Sequence, residues 1–276
     1  MTLSFIIPTI GRTAEVGMVL QSIANNTPKE YTYEVIIVDQ NSDRRIDDII
    51  NEFKTIMNVI HHRVSFRGAG RARNYGIKRA NGDYLNFPDD DCLILEGTVK
   101  NAVEFLTNND YSLVSGKSVD EHGNNSMTNF PDEPAQFHLK NFGYIIEYSF
   151  FAKRSLMIKY LFDDTLGPGC FHGADECFDL IYRMLKNGEK LYYDPVITFY
   201  HPQAVLDHAD PKTILRSFTY RCGFAKASMK HKLYFRLIKR LTLVIFYLPY
   251  CLVLKRKKVR FYLAEILGIF AGMVVK

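Results

Sequence analysis

The chain has 276 residues, of which 47% are apolar and 24% are charged. This composition is ordinary for a globular protein and excludes the collagen-like, disordered and disulfide-scaffold classes. Residues 203–276 contain 15 lysines and arginines but 3 acidic residues, whereas residues 1–202 contain 20 basic and 27 acidic residues. A C-terminal segment of net charge +12 beside a body of −7 predicts an anionic surface partner, either lipid or nucleic acid.

The N-terminal segment and the cysteines favour a protein of a reducing compartment. The N-terminus lacks the basic region of a signal peptide, and its apolar run Phe5-Ile6-Ile7 ends at Pro8, so we expect a buried strand there. The five cysteines are irregularly spaced and include no CxxC pair. A zinc site or a disulfide framework is therefore not expected.

Short apolar runs alternate with segments of helical period over the first 115 residues. The predicted strands are 2–7, 34–39, 58–62, 84–87 and 111–115. Between them, three segments that begin at Val16, Ile46 and Val99 place apolar residues at i, i+3, i+4 and i+7. This alternation is typical of βαβ units on a parallel sheet, in which ligands bind beyond the carboxyl ends of the strands.

The pattern becomes looser after residue 115. Residues 116–140 are rich in Asn, Asp and Pro and are predicted to form a loop, and strands are expected again at 144–152 and 191–200. A helix over 177–185 is predicted to end at Asn187-Gly188. We therefore predict two domains, an α/β domain of residues 1–202 and a helical extension of residues 203–276.

The C-terminal extension combines basic and apolar segments. Asp210-Pro211 is predicted to cap a basic helix, and two apolar stretches, 241–254 and 261–275, follow on either side of the basic segment 255–260. Both stretches are shorter than the roughly 20 residues that span a bilayer. Helices that lie in the membrane interface are favoured, with packing on the body or on a second subunit as the alternative. Nucleic acid is disfavoured, because long apolar runs do not bind phosphate.

The strongest candidate site is the acidic triplet Asp89, Asp90 and Asp91, which directly follows a predicted strand. Adjacent carboxylates repel one another, and a divalent cation would relieve that repulsion. Hard oxygen ligands favour Mg²⁺ or Mn²⁺. A solvated acidic turn or a helix cap is the alternative.

Three further patterns are compatible with a nucleotide-binding site and a catalytic base. The glycine-rich segment 68–76 would open a helix whose amides face phosphate, with Arg71 and Arg73 nearby. Asp39 ends a buried strand, where it would bind a nucleoside or cap the next helix. Asp175 and Glu176 lie at the start of a predicted helix, where acidic residues can act either as a helix cap or as a catalytic base.

Four segments in this order resemble the motifs of the family 2 glycosyltransferases of the GT-A fold. They are PTIGR from Pro8, VIIVDQNS from Val35, GRARNYGI from Gly70 and ANGDYLNFPDDD from Ala80, the last similar to the DxD motif. Gln40 departs from the second Asp of the family pattern. The similarity continues more weakly at Asp175-Glu176 and at His201-Pro202.

The resemblance implies roles for these residues. Asp39 and Thr9 would contact the nucleoside, and Arg73, with Arg71, would lie near the pyrophosphate. The full set expected to bind the nucleotide-sugar is Pro8, Thr9, Arg12, Asp39, Arg71, Arg73, Asp89 and Asp90. Mn²⁺ or Mg²⁺ would be held by Asp91, Asp89 and His201. The catalytic base would be Glu176 or Asp175, with Glu176 favoured, although one alignment of the family's acidic motif places Cys177 in that position.

The resemblance also implies a function. We expect a GT-A fold with a mixed, mainly parallel sheet, and inverting, metal-dependent transfer from a nucleotide-sugar, with UDP as the expected nucleotide. The acceptor would be a hydroxyl of a lipid-linked saccharide in bacterial surface polysaccharide synthesis. We expect a peripheral protein on the cytoplasmic face of the cell membrane. A homo-oligomer is possible. The alternatives are a polyprenyl-phosphate sugar synthase and a non-catalytic, nucleotide-sugar-binding membrane scaffold.

Overall fold

The computed structural model describes residues 1–203 and 207–275, which form two compact units. The first unit comprises residues 1–67, 71–161 and the described residues from 180 to 203. The second comprises residues 68–70, 162–179 and the described residues from 207 onward. Residues 204–206 and 276 of the predicted extension lie outside the described part of the chain. The boundary at residue 202 stays a prediction, and segment 162–179 was not expected to join the C-terminal helices.

The first unit contains a nine-stranded mixed sheet. Its strands are β1 (Thr2–Thr9), β2 (Thr32–Asp39), β3 (Val59–Arg63), β4 (Tyr84–Asn86), β5 (Leu93–Ile94), β6 (Leu113–Val119), β7 (Ala135–Gln136), β8 (Phe150–Lys153) and β9 (Leu191–Tyr200). Their order is β3-β2-β1-β4-β8-β6-β9-β5, with β7 paired to β9. The pairs β1–β2, β1–β4, β2–β3 and β6–β9 are parallel. The predicted α/β fold with a mixed sheet is confirmed.

Helices connect these strands. They are α1 (Ala14–Asn26), α2 (Asp47–Phe53), α3 (Ala69–Ile77), α4 (Thr98–Asn108), α5 (Arg154–Lys159) and α6 (Glu176–Lys186). The apolar positions that predicted α1, α2 and α4 are mostly buried, as are residues 3–9 of β1. Strands buried on consecutive residues have both sheet faces covered, which is why their sequences do not alternate between apolar and polar.

Gly76 allows α3 to approach the sheet closely. A Cβ atom at this position would lie 2.3 Å from Cγ2 of Ile6, which is in β1. Because that separation is far below van der Waals contact, only glycine fits there without a shift of the helix. Gly76 of the GRARNYGI segment therefore serves the close packing of α3 on β1.

The predicted strand 144–152 is wrong over its first part. Residues Glu147–Ser149 form a 3-10 turn, and extended structure begins at Phe150. The amide and the hydroxyl of Ser149 both donate to the carbonyl of Ile146, at 3.0 and 2.9 Å, and close this turn. Short local bonds from serine compete with strand pairing, which the apolar composition did not indicate.

The second unit contains the helices α7 (Pro211–Lys230), α8 (Tyr234–Leu254) and α9 (Val259–Val274). The predicted cap is confirmed, because the Asp210 carboxylate accepts from the Thr213 amide at 2.8 Å. The predicted basic helix is interrupted before α8, where Lys232 has a φ of 58°.

The helix α8 is longer than the apolar stretch expected there. It runs for 21 residues, because the more polar segment 234–240 continues the helix, and by length and composition alone it could cross a membrane. The premise that this segment is too short to span is therefore corrected.

One buried carboxylate connects all three helices. Glu265 of α9 is 2% exposed. Arg221 of α7 lies 3.1 Å from it, and Arg240 of α8 binds both of its oxygens, at 2.6 and 2.5 Å. Buried charges of this kind are tolerated when they are paired and hydrogen-bonded.

Candidate active site

Two acidic residues and a histidine meet beyond the sheet's strand ends. Asp89 and Asp91 follow β4, and His201 follows β9 directly. One ligand atom from each lies within 4.8 Å of the others. The His201 ring stacks on Tyr148 with a centroid separation of 5.1 Å and an interplanar angle of 18°. The three residues expected to hold a metal are thus close together.

This donor set fits a divalent cation. Burial raises the pKa of Asp89, and the charges of Glu147, Asp91 and Asp90 raise it further, against the opposing effect of Arg73. Several carboxylates that destabilise one another's ionised forms gain most from a bound positive ion. Carboxylate oxygens together with one imidazole suit Mn²⁺ or Mg²⁺.

Arg12 lies against the same acids. Its Nη2 is 2.5 Å from Oδ2 of Asp91, and its Nε is 3.7 Å from Oδ1 of Asp90. The hydroxyl of Thr9 donates to Oδ2 of Asp90 at 2.7 Å. Pro8 is buried within β1, opposite Val38 of β2. The PTIGR segment therefore supports the acidic triplet from the end of the neighbouring strand.

The two predicted pyrophosphate arginines have different surroundings. Arg73 is 1% exposed, and its Nη2 lies 2.6 Å from Asp89 and 3.3 Å from Glu147. Arg71 is exposed, with its guanidinium carbon 4.4 Å from the centroid of the Phe66 ring. Arg73 belongs to the acidic cluster, and Arg71 does not.

Asp39 is fully buried at the end of β2. Its Oδ1 accepts from the amide and the side chain of Asn41, both at 2.8 Å. Its Oδ2 lies 3.0 Å from Nε2 of His61 and 3.8 Å from Nε of Arg63. Asn41 after β2, and His61 and Arg63 of the neighbouring strand β3, therefore orient this carboxylate.

The predicted acid pair belongs to the second unit. Asp175 directly precedes α6 with a φ of 69°, a left-handed conformation that is uncommon for residues other than glycine. Its Oδ2 lies 2.6 Å from Nη1 of Arg236. Glu176 is 4% exposed, and its carboxyl carbon would be 2.7 Å from a Cβ atom placed on Gly167. The two acids therefore occupy different environments.

The sequence reasoning missed several partners of these residues. They are Glu147, Tyr148, His61 and Arg236. His61 had a usable signal, because the parallel register places β3 residues 61 and 63 opposite residues 37 and 39 of β2. The others are distant in sequence from the groups they contact, so no local pattern indicates them.

The chain is similar in sequence to known glycosyltransferases. A family model described as glycosyl transferase family 2 matches residues 4–169. The chain is similar to the poly(ribitol-phosphate) beta-N-acetylglucosaminyltransferase TarS of Staphylococcus aureus, with 28% identity over 45% of this chain and 22% of the relative. It is also similar to the poly(ribitol-phosphate) beta-glucosyltransferase of Bacillus spizizenii, with 32% identity over 42% of this chain and 19% of the relative. The chain thus spans about a fifth of the length of these relatives.

Solved structures of low sequence identity share the fold. The S. aureus TarS 1–349 structure with UDP-GlcNAc has a TM-score of 0.61 at 17% identity and covers 99% of this chain and 90% of its own. The mannosyltransferase PcManGT of Pyrobaculum calidifontis, in complex with GDP-Man and Mn²⁺, has a TM-score of 0.64 at 12% identity. That match covers 99% of this chain and 87% of the other.

Proposed function

The chain belongs to glycosyltransferase family 2, and we propose that it transfers a sugar from a UDP-sugar to a hydroxyl of a lipid-linked saccharide. The product would be a bacterial surface polysaccharide. The observation that carries this proposal is the grouping of Asp89, Asp91 and His201 within 4.8 Å at the strand ends. Relatives that glycosylate poly(ribitol-phosphate), and the UDP-GlcNAc bound to TarS, support the donor and acceptor classes.

The first unit would bind the donor. Asp39, oriented by His61 and Asn41, is assigned to the nucleoside, because a buried carboxylate accepts hydrogen bonds from a base or a ribose. Asp91, Asp89 and His201 would hold Mn²⁺ or Mg²⁺. When bound, that ion would neutralise the charge that develops on the departing diphosphate. Arg12 and Arg73 keep the surrounding carboxylates compensated.

Glu176 is assigned as the base, because the family's acidic motif aligned from Gly173 places Glu176 in that position. Its carboxylate takes the proton from the acceptor hydroxyl as the oxygen forms a bond to the anomeric carbon. The bond from that carbon to the phosphate oxygen breaks, and its electron pair leaves with UDP. A single displacement of this kind inverts the anomeric configuration.

A nucleotide-sugar panel tests this function. We expect the full chain with Mn²⁺ to release UDP from one UDP-sugar, and EDTA or Asp91→Asn to abolish that release. Asp43→Asn is the matched control, because Asp43 is an exposed acid of the first unit paired with Arg45. Donor binding without turnover in wild type would indicate a non-catalytic scaffold. Full transfer to a polyprenyl phosphate by Glu176→Gln would indicate a synthase that needs no base.

The helices of the second unit have features that support membrane association. Apolar side chains on α8 and α9 are widely exposed, including Phe235 at 78%, Phe246 at 79% and Val274 at 77%. The basic segment 255–260 follows α8 and extends into the first turn of α9. Apolar side chains next to lysines and arginines match an anionic lipid surface. These features support our proposal that the protein lies on the cytoplasmic face of the cell membrane.

Vesicle sedimentation tests this localisation. The full chain should sediment with phosphatidylglycerol vesicles and not with phosphatidylcholine vesicles, and Phe246→Glu should reduce that sedimentation. Ile56→Glu is the control, since Ile56 is 57% exposed but lies in the first unit. If Phe246→Glu instead converts a dimer into a monomer without changing vesicle binding, a second copy of the chain covers this surface.

A further inference from the structure

Arg236 of α8 is held in a defined position between two aromatic rings. Its guanidinium carbon is 3.8 Å from the centroid of the Phe178 ring and 4.1 Å from that of Phe224. Its Nη1 also donates to the hydroxyl of Ser228 at 2.9 Å. A planar cation that contacts two rings and a hydroxyl has little freedom to reorient.

The same guanidinium contacts the acid next to the assigned base. Its Nη1 lies 2.6 Å from Oδ2 of Asp175, which has the left-handed φ of 69°. The carbonyl of Asp175 accepts from the amide of Asp179 at 2.9 Å, the first backbone bond of α6. A left-handed conformation is unfavourable for aspartate, so it persists where surrounding contacts stabilise it.

A second set of charges fixes the first turn of α6. Asp179 is fully buried, with Nζ of Lys230 at 2.7 Å and Nε2 of His231 at 2.8 Å. Lys230 ends α7, and His231 follows it. Glu176 thus lies between two acids that are both paired with cations from the C-terminal helices.

We propose that Arg236 is a positioning residue for sugar transfer, which acts by holding Asp175 and thereby the direction of the Glu176 side chain. This inference rests on the proposed function, because it takes Glu176 as the base. Glu176 follows Asp175 in the chain, so a change in the Asp175 backbone rotates the Glu176 carboxylate. The segment expected to serve as a membrane extension therefore also contributes to catalysis.

Kinetics of the full chain test this assignment. Arg236→Met keeps an apolar side chain between the two rings but removes the charge. With the UDP-sugar that the wild type hydrolyses, we expect kcat to fall about 10- to 100-fold, less than the roughly 10²–10⁴-fold contribution of a general base, because the base itself remains. KM and the Kd of UDP should stay within about twofold of wild type, because Arg236 does not act on the donor. Arg79→Met is the matched control, since its guanidinium carbon lies 3.5 Å from the Tyr75 ring centroid in the first unit.

Two further measurements separate positioning from general stability. Asp175→Asn and the double variant with Arg236→Met should have the same kcat as Arg236→Met alone, because both substitutions break one interaction. Hydrogen exchange of segment 173–179 should become faster in Arg236→Met and stay unchanged in Arg79→Met. A wild type without turnover sinks the proposed function, and the exchange result still decides whether Arg236 holds this segment. Unchanged exchange, or a kcat equal to that of the control, overturns the inference.

Discussion

Arg12 and Asp91 form an ion pair with 2.5 Å between Nη2 and Oδ2, so the carboxylate proposed as a cation ligand also has a protein partner. A guanidinium at this distance lowers the negative potential that a metal ion would meet. The binding of the cation is therefore expected to displace or weaken this contact. Arg12 of the PTIGR segment therefore compensates the charge of Asp91 in the acidic triplet, although the two residues are 79 positions apart in the chain.

The first prediction concerns that competition. We expect Arg12→Gln to tighten Mn²⁺ binding, without nucleotide, by about threefold, consistent with the roughly 0.2–1 kcal/mol of a partly exposed ion pair. Titration followed by the electron paramagnetic resonance of free Mn²⁺ measures it. Arg45→Gln is the control, because Arg45 is equally exposed at 40% and pairs with Asp43. Weaker Mn²⁺ binding in Arg12→Gln would contradict the expectation.

The second prediction concerns the stack of Tyr148 on His201. Tyr148→Leu removes the ring that orients the imidazole, and we expect Mn²⁺ affinity to fall about three- to tenfold, less than the roughly 10–100-fold loss of a hydrogen-bonded ligand partner, because a stacked ring is a weaker constraint. Tyr148→Phe keeps the ring and loses the 2.9 Å bond to Ser118. It should bind Mn²⁺ like wild type. Equal losses in both variants would show that the hydroxyl, and not the stack, matters.

The third prediction concerns the contact of α3 with β1. In Gly76→Ala the new methyl group meets Ile6, and we expect the free energy of unfolding to fall by about 1–3 kcal/mol, as in other overpacked cores. Gly143→Ala is the control, because no atom lies within 4 Å of a Cβ placed there. Urea denaturation of both variants gives the comparison. Equal stabilities would mean that α3 can shift freely.

The fourth prediction concerns pH and Asp163. Burial raises the pKa of this carboxyl, but hydrogen bonds from Lys230 and Thr165 and the Lys230 charge lower it below its usual range overall. A lowered pKa means that the stabilisation is complete above the unfolded-state value of about 3.9 and is lost as the pH falls below it.

Asp163→Asn should therefore lower the free energy of unfolding by about 1 kcal/mol at pH 7, since the ion pair is partly exposed. The loss should become progressively smaller below about pH 4. Denaturant unfolding at several pH values measures this difference. Asp110→Asn is the control, because Asp110 is 90% exposed in its pair with Lys190. A difference that grows as the pH falls has the wrong sign and would refute the assignment.

The sequence predicted those parts of the fold that depend on local pattern. Strands β1 to β4 and helices α1, α2 and α4 follow from apolar periodicity, and the acids of the candidate site follow from their place after strands. The approach of His201 to Asp89 and Asp91 required the resemblance to a family, because 110 residues separate Asp91 from His201. Periodicity does not report which distant strand ends meet.

The parts that sequence reasoning missed depend on tertiary contacts. The turn before β8 places Glu147 at 3.3 Å from Arg73, although its residues have strand-like composition. Arg236 belongs to a segment that composition describes as membrane-associating, while its contacts are with Asp175 and two aromatic rings. Charge and hydropathy assign a segment to one role, and side-chain contacts can add another.

The buried carboxylate of Glu265 determines how the second unit would bind to a bilayer and how it could be extracted from it. If α8 or α9 entered hydrocarbon separately, Glu265 or its partners Arg221 and Arg240 would lose their compensation, which is costly in a medium without water. The three helices should therefore stay together and adsorb to the headgroups without insertion. Binding of that kind is reversed by high salt, because ions screen the basic segment. We expect extraction from membranes with 1 M NaCl, and no requirement for detergent.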